Sequence, residues 1–285
     1  MIALAMVLAN PIKLAIYAPT RCRPVMRVLI CDNQDQAADM AANEILSALQ
    51  GKPNLVLGLA TGSTPVGIYT RLAKAHQEGQ SFRGVRTFNL DEYLNLSANH
   101  PQSYRYFMRE KLFDAIDIDD ANVHFPPTEG TDLAARCTAF EQAIQGAGGI
   151  DIQLLGIGRN GHIGFNEPTS SLASRTRLKT LTEKTMRDNA RFYGPDEQQP
   201  HIAATMGIGT IMEARKIILQ SFGEAKADAV HAAVEGSISS FWPASILQHH
   251  PDTSFYLDEG SSKHLTMRDY YRRVQEAERD VEDGL

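Results

Sequence analysis

Cysteine and metal-binding patterns are scarce in this 285-residue chain, which has three cysteines and nine histidines. Cys22, Cys31 and Cys137 are an odd number without CxxC spacing, and the histidines form no HExxH pattern. Unpaired thiols are typical of proteins in the reducing cytosol, so the sequence predicts a cytoplasmic protein. It also predicts neither a structural nor a catalytic metal.

An excess of positive charge is missing as well. The chain has 28 Lys and Arg residues against 34 Asp and Glu residues, a net charge of −6, and no basic block. We therefore expect no nucleic-acid partner. An anionic substrate would have to be bound locally, by a few cations and backbone amides.

Long apolar runs are also missing. The apolar segment Ile2–Ala9 is interrupted by Asn10, Pro11 and Lys13 before a second short run. A membrane span needs about 20 apolar residues, and a secretory signal needs a positive segment in front, so we expect neither. Met26 directly precedes the first clear strand. We predict that residues 1–25 are a dispensable N-terminal extension, either a tail or a start placed too early, and that residues 26–285 form one domain.

Strand and helix patterns alternate from Met26 onward. Predicted strands are Val28–Cys31, Leu55–Leu59, Val85–Leu90, Ile152–Ile157, Lys216–Gln220 and Ser254–Leu257. Predicted helices are Gln34–Leu49, Gly67–His76, Ser103–Phe113, Leu133–Gln145, Glu224–Glu235 and Leu265–Glu282. This alternation predicts a three-layer, Rossmann-like α/β fold, with a mostly parallel central sheet and helices on both faces. The polar stretch with aromatic residues around Arg191 predicts a small lid.

Polar residues follow three of the predicted strands: Thr61–Thr64, then Asp91 and Glu92, then Asn160–Glu167. Since the carboxyl ends of parallel strands lie on one edge of a sheet, these segments can converge. A histidine and a carboxylate at such an edge are suited to proton transfer near neutral pH. Taken singly, a surface histidine in a turn or a helix-capping aspartate explains the same residues.

The turn Thr61–Pro65 opens a helix, and such a turn can bind an anion through backbone amides and hydroxyl groups. It lacks the lysine of a Walker motif and the glycine spacing of a dinucleotide fold, and an ordinary capped turn explains it equally well. Lys226 and Arg191 could supply cations to a phosphate there, although each alone reads as a solvated surface charge.

Four motifs together resemble the glucosamine-6-phosphate deaminases: Leu57–Pro65, Thr87–Tyr93, Gly156–Pro168 and Ser171–Arg177. They occur in the family's order and spacing, and the likeness runs from Met26 to the closing helix. The resemblance implies an α/β fold with a central parallel sheet. It also implies conversion of glucosamine 6-phosphate and water to fructose 6-phosphate and ammonia in amino-sugar catabolism, without metal or other cofactor.

The resemblance also assigns roles to residues. Asp91 would be the base that moves a proton from C2 to C1 of the opened sugar. His162 would open the pyranose ring, and Glu167 would support its protonation state. Asn160 stands where some members carry Asp, so it can orient the imidazole but adds no charge. The implied phosphate-binding residues are Gly62, Ser63, Thr64, Arg191 and Lys226.

The resemblance also implies a second phosphosugar site. From composition alone, the stretch 170–180 is a solvated edge strand or loop. In hexameric, regulated family members, similar positions bind N-acetylglucosamine 6-phosphate between subunits. The matching residues here are Ser170, Arg177, Lys179, Thr180 and Tyr270, with Tyr271 as the alternative tyrosine.

Two other functions belong to similar proteins. Enzymes that resemble 6-phosphogluconolactonase or pentose-phosphate isomerase bind sugar phosphates on the same fold, but are not expected to carry both the Asp91 strand end and the His162 loop. A non-catalytic sugar-phosphate sensor is expected to lose the base or the histidine and to carry a DNA-binding helix pair.

Overall fold

The computed structural model describes residues 26–189 and 199–283. Residues 1–25 and Arg191 lie outside these ranges, so the N-terminal extension and the lid stay predictions. No helix within the two ranges has the length and hydropathy needed to cross a bilayer.

Ten strands lie in the described ranges. In chain order they are β1 (Met26–Ile30), β2 (Val56–Leu59), β3 (Arg86–Asn89), β4 (Asp91–Tyr93), β5 (Val123–His124), β6 (Ile152–Leu155), β7 (Arg177–Thr180), β8 (Ile202–Thr205), β9 (Lys216–Ser221) and β10 (Thr253–Leu257). Seven of them form one sheet in the order β1-β10-β9-β6-β2-β3-β5, and every neighbouring pair in it is parallel.

Helices cover both faces of this sheet, as the sequence predicts. They are α1 (Gln34–Gly51), α2 (Val66–Gln77), α3 (Tyr104–Lys111), α4 (Leu133–Gly146), α5 (Glu183–Asn189), α6 (Ile208–Met212), α7 (Ala227–Val234) and α8 (Arg268–Asp283). Helices α1, α2 and α3 pack in the apolar cluster on one face, while α4, α6 and α7 pack on the other. Burial on both faces explains why β2 is apolar throughout and why β6 has only one polar residue, Gln153.

The direction in which successive strands are added to the sheet reverses in its middle, although all of them are parallel. From β2 the chain continues outward to β3, whereas from β6 it continues in the opposite direction to β9. Open α/β sheets bind ligands at such a point, in the space outside the carboxyl ends of the strands, and we call that space at the ends of β2 and β6 the crevice.

A second, three-stranded antiparallel sheet, β4-β8-β7, was not predicted. Its register places Asp91 opposite Thr205, and Thr205 opposite Arg177. We expected Asp91 at the end of β3, but β3 ends at Asn89 and β4 pairs with a strand more than a hundred residues later in the chain. Local periodicity carries no information about such a partner.

Candidate active site

Four neighbouring strands deliver the predicted residues to one edge of the large sheet. Lys226 follows β9, the segment 160–167 follows β6, residues 62–64 follow β2, and Asp91 follows β3. The predicted convergence is therefore present in the fold. We call the residues Gly158–Glu167 the His162 loop.

Asp91 and Glu92 are both buried, but their carboxyl groups differ in surroundings. Glu92 accepts hydrogen bonds from the backbone N–H groups of Tyr93, Tyr104 and Arg105, each 2.9 Å long, and so caps the start of α3. Among the described residues, no donor is hydrogen-bonded to Asp91. Burial, followed by the charge of Glu92, raises the pKa of Asp91 to about 8.

The His162 loop passes directly over Asp91. Gly164 has φ +57°, and a Cβ there would lie 3.4 Å from Asp91 Oδ2 and 3.2 Å from Thr205 Oγ1. The same hydroxyl oxygen accepts a hydrogen bond of 3.1 Å from the Phe165 N–H. A glycine lets the loop backbone approach the carboxylate this closely.

A tight turn orients His162. The Gly158 N–H donates to the His162 carbonyl, and the Gly161 N–H donates to the Gly158 carbonyl; each hydrogen bond is 2.9 Å long. The imidazole lies against Gly158, where a Cβ would be only 2.3 Å from the ring atoms Cε1 and Nδ1. The side chain is 22% exposed, so the ring faces the crevice while its Nδ1 is buried.

Glu167 lies behind the imidazole and is almost fully buried. Its Oε2 accepts a 2.8 Å hydrogen bond from Asn160 Nδ2 and lies 3.6 Å from His162 Nδ1, an ion-pairing distance longer than a hydrogen bond. The Thr185 hydroxyl donates to Oε1. Burial would raise the pKa of Glu167, but His162 and the donors Thr185 and Asn160 outweigh it and lower that pKa to about 2.

Asn160 was expected to orient the imidazole. In the structure its amide reaches Glu167, and its Oδ1 accepts from the His162 backbone N–H over 3.4 Å. Thr185 was missed by the sequence reasoning, because it lies on α5, outside every recognisable motif.

Three of the predicted phosphate-binding residues, Gly62, Ser63 and Thr64, follow β2, the strand next to β6. Gly62 has φ +104°, and a Cβ there would meet no atom within 4 Å. Helix α2 starts at Val66, and no side chain caps its N-terminus. Unpaired N–H groups at a helix start favour an anion.

Lys226 is fixed toward the same edge. Its Nζ donates to the Ile157 carbonyl over 2.7 Å, at the end of β6. The preceding turn is held by Asp258, whose two carboxylate oxygens each accept from the Gly223 N–H over 3.0 Å. Asp258 was missed, because it lies at the end of a different strand, β10. Arg191 is outside the described residues.

The residues of the implied second site differ in exposure. Along β7, Arg177 and Lys179 are half-buried and alternate with exposed Leu178 and Thr180. The Ser170 side chain is buried. Tyr270 is 49% exposed on α8, whereas the Tyr271 hydroxyl donates to Glu235 over 3.1 Å.

No group of three or more His, Cys, Asp or Glu side chains that could hold a metal ion occurs within residues 26–189 and 199–283. The groups that the candidate site brings together are the Asp91 carboxyl group, His162 with Glu167, and the backbone N–H groups at the start of α2. Together they can bind a phosphorylated ligand and exchange protons with it.

A family model described as "Glucosamine-6-phosphate isomerases/6-phosphogluconolactonase" matches residues 32–255. The chain belongs to this family.

Its relatives with high identity share one name. A protein of Shewanella loihica called glucosamine-6-phosphate deaminase is 57% identical over 88% of this chain and 94% of its own length. Proteins of the same name from Hahella chejuensis and Cellvibrio japonicus are 57% and 51% identical, over 88% and 91% of this chain and 96% and 99% of their own.

Solved structures agree with this placement. A monomeric glucosamine-6-phosphate deaminase superposes with a TM-score of 0.81 at 43% identity, over 84% of this chain and 99% of that one. The 6-phosphogluconolactonase of Trypanosoma brucei superposes with a TM-score of 0.68 at 22% identity, over 84% and 98%, and so shares the fold.

Proposed function

We infer that this chain is a glucosamine-6-phosphate deaminase, which converts glucosamine 6-phosphate and water to fructose 6-phosphate and ammonia. The observation that carries this function is the buried Asp91 carboxyl group under the His162 loop, which follows a strand next to β2 and its uncapped helix α2. Relatives of that name, 57% identical over most of their length, support the same activity.

Binding would begin at the phosphate. Residues Gly62, Ser63 and Thr64 offer backbone amides and hydroxyl groups, and Lys226 offers a point charge. Arg191, by resemblance, would add a planar fork to the same dianion.

Ring opening would fall to His162. The imidazole takes the proton of the anomeric hydroxyl and returns a proton to the ring oxygen, so that the C1–O5 bond breaks and an aldehyde forms. The transient imidazolium would be stabilised by Glu167, whose lowered pKa keeps it ionised.

Asp91 would then act on the open chain. Its carboxylate removes the proton from C2 while the C1 oxygen takes a proton from water, which gives an enolamine and hydroxide. The proton held by Asp91 then passes to C1, and the nitrogen gives a proton back to the hydroxide, which leaves an imine at C2. Addition of water to the imine carbon and loss of ammonia complete the reaction. A base with a raised pKa suits this transfer, since proton affinity is highest when the carboxylate is desolvated.

Assembly and regulation are proposed on resemblance alone. We propose a cytoplasmic homo-oligomer, hexameric as in regulated family members, that uses N-acetylglucosamine 6-phosphate as an activator in N-acetylglucosamine catabolism. The monomeric 43% identical relative is a counterexample within the family.

The test is an assay of ammonia release from glucosamine 6-phosphate, coupled separately to fructose 6-phosphate detection. We expect both products in equal amounts from the wild type. Asp91→Asn should lower turnover by about 10²–10⁴-fold while phosphosugar binding persists, because only proton transfer needs the carboxylate. Asp269→Asn, on the exposed face of α8, is the matched control and should keep full turnover.

Hydrolysis of 6-phosphogluconolactone without ammonia release would indicate a lactonase. Binding of phosphosugars without turnover of any would indicate a sensor. His162→Gln should lose more activity with the cyclic substrate than with a pre-opened analogue, and equal losses would place the histidine elsewhere in the reaction.

A further inference from the structure

One amide side chain, that of Asn166, joins the His162 loop to the small sheet. It is fully buried. Its Nδ2 donates to the Ile163 carbonyl over 3.0 Å and to the Met206 carbonyl over 2.8 Å, while its Oδ1 accepts from Arg177 Nη1 over 2.8 Å. Since two partners are carbonyl oxygens and the third is a guanidinium donor, only one orientation of the amide fits.

The first of these bonds shapes the loop next to His162. Both the side chain and the backbone N–H of Asn166 donate to the Ile163 carbonyl, the latter over 3.2 Å. They close a narrow turn in which Gly164 takes φ +57°. Glu167, the partner of the imidazole, follows immediately. The amide therefore lies between the two members of the proton-handling pair along the chain.

The second bond, from the Asn166 amide to the Met206 carbonyl, connects the loop to the strand of Asp91. The Met206 N–H donates to the carbonyl of Leu90 over 2.6 Å, and Leu90 directly precedes Asp91. Asp91 Oδ2 and Asn166 Nδ2 also approach the same point, 3.4 and 3.6 Å from where a Gly164 Cβ would be. One amide thus ties the loop that carries His162 to the backbone that carries Asp91.

The third bond pairs the amide oxygen of Asn166 with the guanidinium group of Arg177. Arg177 is half-buried, and burial lowers its pKa below the usual value for arginine, although it keeps its charge at neutral pH. A charged donor makes a stronger hydrogen bond than a neutral one. The guanidinium therefore holds the amide in the orientation that the two carbonyl groups need.

We infer that Asn166 is a positioning residue that sets the distance between Asp91 and His162, and that Arg177 acts on the reaction through Asn166. This inference rests on the proposed function for its kinetic consequences. Its structural content is independent: the side chain holds the His162 loop against the strand of Asp91. Misplacement of a reacting group by 1 Å can lower a rate by about 100-fold, so this fastening matters for turnover.

Two substitutions separate the donors of the amide from its acceptor. Asn166→Ala removes all three hydrogen bonds. Asn166→Asp keeps the acceptor for Arg177 but loses both donors and turns a carboxylate toward two carbonyl oxygens. Both variants should lower kcat by about 10- to 100-fold with KM changed less than about threefold, because the proposed phosphate-binding residues Gly62–Thr64 and Lys226 follow β2 and β9 and make no hydrogen bond to Asn166.

The matched control is Asn89→Ala. Asn89 is an equally buried asparagine on β3, two residues from Asp91, and within the described residues its amide atoms have no hydrogen-bond partner. Its removal should lower kcat far less than removal of the Asn166 amide. Equal losses of kcat in the two alanine variants, with melting temperatures lowered equally, would reduce Asn166 to a part of the core and overturn the inference.

A double-mutant cycle tests the route from Arg177. Arg177→Met should lower kcat in the wild-type background and have almost no effect in the Asn166→Ala background, because its partner is already absent. Effects that multiply instead would show that Arg177 acts independently of Asn166.

Hydrogen exchange tests the same inference without turnover. In Asn166→Ala, amides of the segment 163–167 should exchange at least about tenfold faster, while those of β2 and β6 stay as in the wild type. Unchanged exchange in this segment, or equally faster exchange throughout, would overturn the inference. A wild-type chain that releases no ammonia would count against the proposed function, and the exchange result would still decide the role of Asn166.

Discussion

At the residue scale, the adjacent carboxyl groups of Asp91 and Glu92 differ in their hydrogen-bond partners. Glu92 is fully occupied with three backbone N–H groups at the start of α3, whereas Asp91 has no such donors among the described residues and borders the crevice. A helix-capping aspartate was the alternative explanation for Asp91. The first backbone N–H groups of α3 are bonded to Glu92 and to the N-cap residue Ser103 instead, so the Asp91 carboxyl group has no capping role there.

The pKa of Asp91 predicts how the rate depends on pH. With a pKa of about 8, the carboxyl group is protonated at lower pH and cannot accept a proton from C2. We therefore expect kcat/KM to rise about tenfold per pH unit on the acidic side and to level off near pH 8. The measurement is kcat/KM for ammonia release from pH 5 to pH 9. A plateau already reached at pH 5 would contradict a desolvated base in the free enzyme.

Lys226 provides a second prediction at this scale. Its Nζ is held at the edge of the sheet by the Ile157 carbonyl, so Lys226→Ala should chiefly weaken binding. A charge-assisted contact to a phosphate contributes about 1.5–3 kcal/mol, which corresponds to a KM raised by about 10- to 100-fold with little change in kcat. The control is Lys263→Ala, an exposed lysine paired with Glu224 nearby. An unchanged KM would exclude Lys226 from the site.

At the scale of elements, close contacts restrict the backbone of the turn after β6. Gly158 supports the imidazole, Gly161 takes φ +80°, and the side chain of Trp242 covers Gly161. The Gly161 carbonyl also accepts from the Ala244 N–H over 2.9 Å, so a distant segment fixes the turn from outside. The geometry of His162 thus depends on two glycines whose side-chain positions are already occupied.

Gly158→Ala tests this dependence. The added methyl group would lie 2.3 Å from the imidazole, so the ring must leave its place over Gly158. We expect kcat with the cyclic substrate to fall by about 10²-fold, the loss typical of a misplaced acid–base group, while the protein stays folded. The control is Gly146→Ala, at the end of α4, where the added Cβ would meet no atom within 4 Å. Full activity in Gly158→Ala would show that the ring position has no influence on ring opening.

The small antiparallel sheet is the second element that matters. It joins Asp91 on β4 to Arg177 on β7 through the shared partner Thr205. Strand β7 is therefore connected to Asp91 through two strand pairs of one sheet. This gives the proposed regulation a physical route, in addition to the contact between Arg177 and Asn166.

For the whole molecule, the open prediction concerns regulation. If Arg177 and Lys179 bind a second phosphosugar at a subunit interface, initial rates should be sigmoidal, and N-acetylglucosamine 6-phosphate should make them hyperbolic. A ligand that prefers one quaternary state can shift the equilibrium by about 1–3 kcal/mol. Sedimentation with rate curves, with and without the compound, provides the measurement. Hyperbolic rates that millimolar compound leaves unchanged would show that the second site is absent or silent, and a monomer would exclude the interface.

The sequence by itself determined the large parallel sheet, and it predicted which segments carry the candidate site residues. The apolar run Ile152–Ile157, with one Gln, favours a buried strand, and Thr61–Pro65 favours a turn into a helix, because both signals are local. Once the strands are parallel, their carboxyl ends share one edge, so the convergence of Asp91, His162 and Lys226 follows from topology.

Only the tertiary structure decided which groups touch. Thr185 donates to Glu167 across 18 residues, Asn166 bonds to Met206 across 40, and Asp258 bonds to Gly223 across 35. It also decided that Glu92 caps a helix and that Asp91 starts a strand of a second sheet. The physical reason is that a hydrogen bond between distant residues leaves no periodic trace in the sequence. Its partners are set by how the elements pack, and packing depends on the whole chain at once.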